Sequence, residues 1–118
     1  MNVLPADFDL SPLVGQELSQ VCLDQYQIQL HFNRCHIQGG GKVSLERTGA
    51  NVELFHGTWR TSAGLEHLVG TPVTSWTRRS PNHFTLTFAS GSALVFETVE
   101  GPLEDFTVSI ANDAFWVL

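Results

Sequence analysis

Alternation of apolar and polar positions is the strongest signal in the chain. Ile28, Leu30 and Phe32 are separated by Gln29 and His31, and Phe84, Leu86 and Phe88 by Thr85 and Thr87. A period of two places successive side chains on opposite faces of an extended backbone, so each run predicts a strand with one buried face. The later run continues as FASGSALVFE. Leu94 and Phe96 share its buried face only if the connecting loop holds an odd number of residues. A three-residue loop with Gly91 in the left-handed region meets that condition, because glycine has no Cβ to clash there. The earlier run continues as FNRCHIQGGGKVSL, where pairing Phe32 with Ile37 leaves the four-residue loop Asn33-Arg34-Cys35-His36. The returning strand then breaks at Gly39-Gly40-Gly41 and resumes as KVSLE, and ANVELF and FTVSIANDAFWVL supply further strands.

The two alternating runs sit inside a longer echo. LVGQEL, from Leu13, returns as LVGTPV, from Leu68; Leu18 then matches Val73 and Val21 matches Trp76. After a one-residue insertion, Ile28, Leu30 and Phe32 match Phe84, Leu86 and Phe88. Ser11-Pro12-Leu13-Val14-Gly15 predicts a single helical turn, with serine as N-cap and proline at the first helical position. Ser62 to Gly70 predicts a longer version, with Leu65 and Leu68 on one face and Gly64 weakening it. The expected fold class is mainly β: a duplicated antiparallel β unit of about eight short strands, in a sandwich or flattened barrel, with one or two short helical turns. The expected organisation is a single domain over 1–118 built from two weak repeats, about 11–60 and 62–118. Repetition is then a packing solution, since one small sheet cannot bury its own apolar face.

Composition narrows the class further. A chain of 118 residues with 42% hydrophobic content can bury a core without a disulfide staple. No apolar run has the roughly 20 residues needed for a membrane span. The N-terminus is acidic where a signal peptide is basic, so a cytoplasmic protein with no membrane partner is expected. In that compartment Cys22 and Cys35 are expected to be free thiols. The net charge is −6, and all six basic residues, Arg34, Lys42, Arg47, Arg60, Arg78 and Arg79, lie in the middle of the chain. Glu97, Glu100, Glu104, Asp105 and Asp113 follow with no basic residue among them. An acidic surface repels phosphate backbones, which argues against a nucleic-acid partner and favours another protein, in particular a basic one.

The pattern LVG…V, the alternating FTLTF, the SG turn with LVFE after it, and the acidic-aromatic LEDFTV together resemble a family of small bacterial domains of unknown function. That family carries L-x-G…V…L-x-F-x-D-G…L followed by Y-E-x-[WY], and some relatives are candidate immunity proteins of bacterial toxin systems. The resemblance spans most of residues 65–110, with a weaker echo over 11–38, and rests on structural motifs. Ser90 stands where the family has aspartate before Gly91, and LEDF replaces the Y-E pair. The resemblance implies a β fold and no established activity.

Reactive side chains cluster only in HFNRCH, at His31, Cys35 and His36. Two imidazoles and a thiol are weak metal candidates, because a structural zinc site takes four ligands and no C-x-x-C or H-x-x-x-H completes this one. A Cys–His nucleophile on a hairpin tip lacks oxyanion donors and shelter from water. Glu104 and Asp105 are adjacent, so on a strand they face opposite sides and make no carboxylate pair, and Glu97 with Glu100 reads as a solvated turn. GGGK is followed by strand-like Val43-Ser44-Leu45 and not by the helix a phosphate loop requires. No cofactor is expected. Trp76 reads as core. Trp59, in HGTWRTSAG, is placed in the core ahead of the alternative, an exposed anchor beside Arg60. Trp116, in the apolar AFWVL, belongs to a strand that is docked in its own sheet or forms a homodimer through its edge.

The leading expectation is therefore a non-enzymatic protein-binding module, with Trp59, Arg60, Glu97, Glu100, Glu104 and Asp105 as binding candidates. Its concrete version is an immunity-like protein that masks a basic partner with an acidic face. The alternative is a β barrel holding a small ligand among Trp59, Trp76, Phe84 or Phe88. A third reading is a metal- or thiol-dependent enzyme using His31, Cys35 and His36.

Overall fold

The alternating runs become strands in the computed structural model, which describes residues 3–98, 105–111 and 114–118. Among these residues there are ten strands, where about eight were expected. In the first half they are β1 (Leu18–Leu23), β2 (Ile28–Phe32), β3 (Cys35–Gly39), β4 (Lys42–Arg47) and β5 (Ala50–His56). In the second they are β6 (Val73–Ser80), β7 (His83–Phe88), β8 (Ala93–Glu97), β9 (Phe106–Ile110) and β10 (Ala114–Val117). They form two open antiparallel sheets of five strands, a first sheet ordered β1-β2-β3-β9-β10 and a second ordered β5-β4-β8-β7-β6. The flattened-barrel option is thereby overturned, because neither sheet closes on itself.

Each half of the chain places three consecutive strands in one sheet and then sends a two-strand hairpin to the other. β4–β5 joins β8 of the second sheet, and β9–β10 joins β3 of the first. The LVG motifs lie where the two halves meet. The Gly15 N–H donates to the Val73 carbonyl and the Gly70 N–H to the Leu18 carbonyl, both at 2.8 Å. Val73 N–H donates to Gln16 and Leu18 N–H to Thr71 in the same reciprocal manner.

The glycine run is the crossing from β3 to β4. Gly40 and Gly41 both donate to the Asp105 carbonyl, at 2.9 and 3.2 Å. A Cβ on Gly39 would lie 1.9 Å from that same oxygen, and one on Gly41 2.5 Å from the Phe106 ring. The close backbone neighbour at this point is the molecule's own β9.

The hairpins correct one expectation and match another. Leu30 faces Ile37 and His31 faces His36, so only Asn33 and Arg34 connect β2 to β3 and the Phe32–Ile37 pairing is displaced. Across β7–β8, Leu86 faces Leu94, and Ala89-Ser90-Gly91 form the three-residue loop with Gly91 at φ 89°. Both helical segments are short 3-10 turns, Ser11–Leu13 and Leu65–His67. Leu10, not Ser11, caps the first. Gly64, left-handed at φ 91° and close against Leu45, caps the second.

The inward faces meet in a filled aromatic core. Phe84 and Phe96 stack at 4.6 Å, and Phe106 approaches both edge-on. Phe8, from the segment before β1, packs on Trp76, Phe84 and Trp116 within 5.9 Å. Each fully buried phenylalanine stabilises the fold by roughly 1.5–3 kcal/mol. Phe84 and Phe88 are wholly inside this packing, and Trp59 is 54% exposed on the outside. The barrel-mouth ligand site expected among these side chains does not form, and Trp59 does not belong to the core.

Candidate functional site

Strand register sorts the outward side chains into rows. On the second sheet one row reads His83, Glu97, Lys42, His56, running across β7, β8, β4 and β5. The next reads Thr77, Thr85, Val95, Ser44, Glu53. Opposite charges thus stand beside one another on neighbouring strands, the arrangement that stabilises cross-strand pairs. Lys42 Nζ lies 3.8 Å from Glu53 and 3.7 Å from Glu97, and His83 Nε2 lies 3.2 Å from Glu97. Glu53 also meets His56 Nδ1 at 3.4 Å and Arg60 Nε at 3.9 Å. On the far side of the row, Arg79 grips Glu46 with both terminal nitrogens, at 2.9 and 3.1 Å. The donated hydrogen bonds and the guanidinium charge hold the Glu46 carboxyl below its ordinary range, against a smaller opposing effect of burial. Arg79 is raised in return.

Lys42, Glu46, Arg79, His83 and Glu97 wall an open depression of about 210 Å³ that Ser44 and Val95 also line. Thr85, paired with Val95 in the same row, is buried beside it, and its hydroxyl has no hydrogen-bond partner among the described residues. At the β5 end the chain turns back on itself through His56-Gly57-Thr58. Gly57, at φ 71°, donates to the Gly40 carbonyl, and Arg60 N–H returns to Leu54 at 2.8 Å. The turn leaves the Trp59 indole in solvent, next to Arg60 and at the end of the ion-pair row.

Three of the expected binding residues are therefore brought to one surface. Trp59 and Arg60 reach Glu97 through Glu53 and Lys42. Asp105 is not among them: it is 4% exposed, with its backbone holding the glycine crossing and Leu118. Glu100 and Glu104 lie outside the described residues. The acidic character expected of this surface is absent among the described residues, since Lys42, Arg60 and Arg79 offset Glu46, Glu53 and Glu97. Sequence reasoning missed Lys42, Glu46, Glu53, Arg79 and His83. Only the alternation Lys42-Ser44-Glu46 was available, and it places those three side chains on a common face of one strand.

The HFNRCH residues are split by strand parity. His31 and His36 stack at 4.4 Å on the outward face of the first sheet. Cys35 points into the core, where burial pushes its thiol up to about 12. A thiol so protonated, on the opposite side of the sheet from both imidazoles, is not arranged as a Cys–His nucleophile. Burial first, and the neighbouring His31 second, lower the His36 pKa. Among the described residues no three His, Cys, Asp or Glu side chains gather as metal ligands. Ser80, His83 and Glu97 do stand in series, with His83 Nδ1 2.5 Å from Ser80 Oγ and 3.2 Å from Asn82 Oδ1. The Ser80 hydroxyl does not border the depression. Asn82 continues the series to the Thr98 carbonyl at 3.2 Å, so the group staples the β6–β7 turn to β8.

Compared with known proteins, the chain matches no family model, no curated protein and no solved structure. No helix among the described residues is long and apolar enough to cross a membrane.

Proposed function

We propose that this protein is a non-enzymatic binding module that contacts another protein through the Trp59 end of the second sheet. The observation that carries this reading is the exposed indole of Trp59, held by a folded turn beside Arg60 and continuous with the Lys42–Glu97 row. Tryptophan and arginine are enriched where interfaces concentrate their binding energy, with charged groups around them as a polar rim. The burial of Phe84 and Phe88 in the core supports the same reading, since it leaves recognition to outward side chains such as Trp59. The resemblance to small bacterial domains with immunity-like relatives suggests a toxin as partner.

The test is affinity capture with the whole protein, comparing wild type with Trp59→Ala/Arg60→Ala and with Gln29→Ala on the opposite sheet. A partner that engages this surface loses about 2 kcal/mol or more of affinity with the double variant, roughly a thirtyfold change, and none with Gln29→Ala. Equal retention by all three proteins would sink the proposal.

A further inference from the structure

Among the described residues the two open sheets have four edge strands: β1 and β10 in the first, β5 and β6 in the second. Exposed edges present unpaired N–H and C=O groups, and proteins blunt them with bulges, charges or proline. Three of the four are blunted here. β1 has an extra residue at Ser19, between Leu18 and Gln20 of its ladder. β5 has one at Leu54 and also carries Glu53. β6 has two, at Thr74 and Arg79, and carries Arg78 and Arg79.

β10 has none of these features. Its ladder with β9 runs without a shift from Ala114–Ile110 to Val117–Thr107, and its sequence AFWV holds no charge and no proline. Trp116 turns inward onto Phe8, leaving Phe115 at 64% and Val117 at 47% exposure on the outward face. The neighbouring rows of that face, Gln20-His31-His36-Ser109-Phe115 and Cys22-Gln29-Gln38-Thr107-Val117, contain no Asp, Glu, Lys or Arg. Because Leu118 N–H bonds to Phe106, the alternation of an antiparallel ladder directs the backbone N–H and C=O of Phe115 and Val117 away from β9.

We infer that β10 pairs antiparallel with β10 of a second copy, joining two first sheets into one continuous sheet. A register centred on Trp116 sets Phe115 opposite Val117 of the second copy, and the reverse, with about four backbone hydrogen bonds between them. The two outward apolar side chains then meet as cross-strand pairs. Charge selects a second copy at this edge. Each chain carries a net −6, so copies repel at acidic surfaces, and a twofold axis brings like groups together. An uncharged strand satisfies that symmetry without placing like charges face to face.

The test is sedimentation velocity with light scattering across a concentration series, on wild type, Val117→Pro, Phe115→Lys and, at the bulged β6 edge, Ser75→Lys. Proline at 117 removes an N–H that the β9 ladder does not use, as edge strands tolerate. Phe115→Lys provides the same blockade should Val117→Pro unfold, with thermal denaturation reporting the fold of each variant. The expected result is a wild-type dimer with twice the monomer mass, a matching dimer for Ser75→Lys, and at least about a tenfold weaker dimer for the folded edge variants. A wild type that stays monomeric at about 100 μM, or a dimer that a folded edge variant leaves intact, would overturn it. A monomer that instead binds an edge strand of a different protein at β10 would likewise overturn the choice of a second copy.

Discussion

The outward face of the second sheet is a lattice of ion pairs, and the outward face of the first holds glutamine, threonine, serine, histidine and Cys22, with two apolar side chains at one rim. Both sheets are built from the same alternation, three strands from one half of the chain and two from the other, and both bury phenylalanine and aliphatic residues inward. What separates them is the choice of side chain at positions the core never touches. Lys42 holds Glu53 at 3.8 Å and Glu97 at 3.7 Å, and with Arg60 on Glu53 and Arg79 on Glu46 that face has a defined, charge-balanced surface. The first sheet has only His31 and His36 to carry charge in its two rows, and then only when they are protonated. Two faces of one sandwich are thus suited to different encounters: an anchor-and-rim contact at Trp59, and an uncharged strand edge at β10.

The comparison depends on the glycine crossing that joins the sheets, so the largest effect is expected there. Gly39→Ala would drive a methyl group into the Asp105 carbonyl and separate β3 from β9. The expected loss is about 3–5 kcal/mol in urea unfolding, with the variant partly unfolded at ambient temperature. A loss below about 1 kcal/mol would mean that the crossing can shift without cost to the first sheet.

A smaller effect is expected from removing charge on the second sheet. Glu46→Gln abolishes the paired grip of Arg79, a half-exposed interaction contributing about 0.5–1 kcal/mol at low salt and less at 1 M salt, where screening is strong. Because the Glu46 carboxyl is lowered in the fold, its contribution is present above the ordinary carboxylate pKa of 4.5 and disappears as pH falls through the folded value. Stability of wild type and Glu46→Gln should therefore converge in acid, and parallel curves down to low pH would contradict the pairing.

The smallest effect is expected on the first sheet. His36 is lowered by burial and by His31, so the folded state resists its proton. Its contribution is complete above the ordinary histidine value of 6.5 and declines as pH falls through the folded value. His36→Gln should flatten the stability profile between neutral pH and the mildly acidic range, without a salt dependence like that of Glu46→Gln. A profile unchanged by the substitution would remove the coupling of the stacked pair.

Much of the sandwich was legible locally. Phe84-Leu86-Phe88 and Leu94-Phe96 needed an odd loop to share a face, and Ala89-Ser90-Gly91 provides it. The same parity rule places Cys35 and His36 on opposite faces once their strand is extended. Trp59 was misplaced because an aromatic residue between turn signals carries no period, and its exposure follows from the return of Arg60 to Leu54. The candidate surface was legible only in part. Arg60 and Glu97 meet through Lys42 and Glu53, and that meeting requires β4 to lie between β5 and β8.

The sequence by itself determined the alternating strands, the face each buries, the Gly91 turn and the break at Gly39-Gly40-Gly41, because these depend on two-residue periodicity and the conformational freedom of a few glycines. Tertiary structure alone decided that β4 joins β8, that β9 joins β3, and that β10 is, among the described residues, the one edge of four with neither bulge nor charge. Pairing between distant strands is set by the packing of two inward faces at once, and no local pattern encodes which neighbour a buried strand will find.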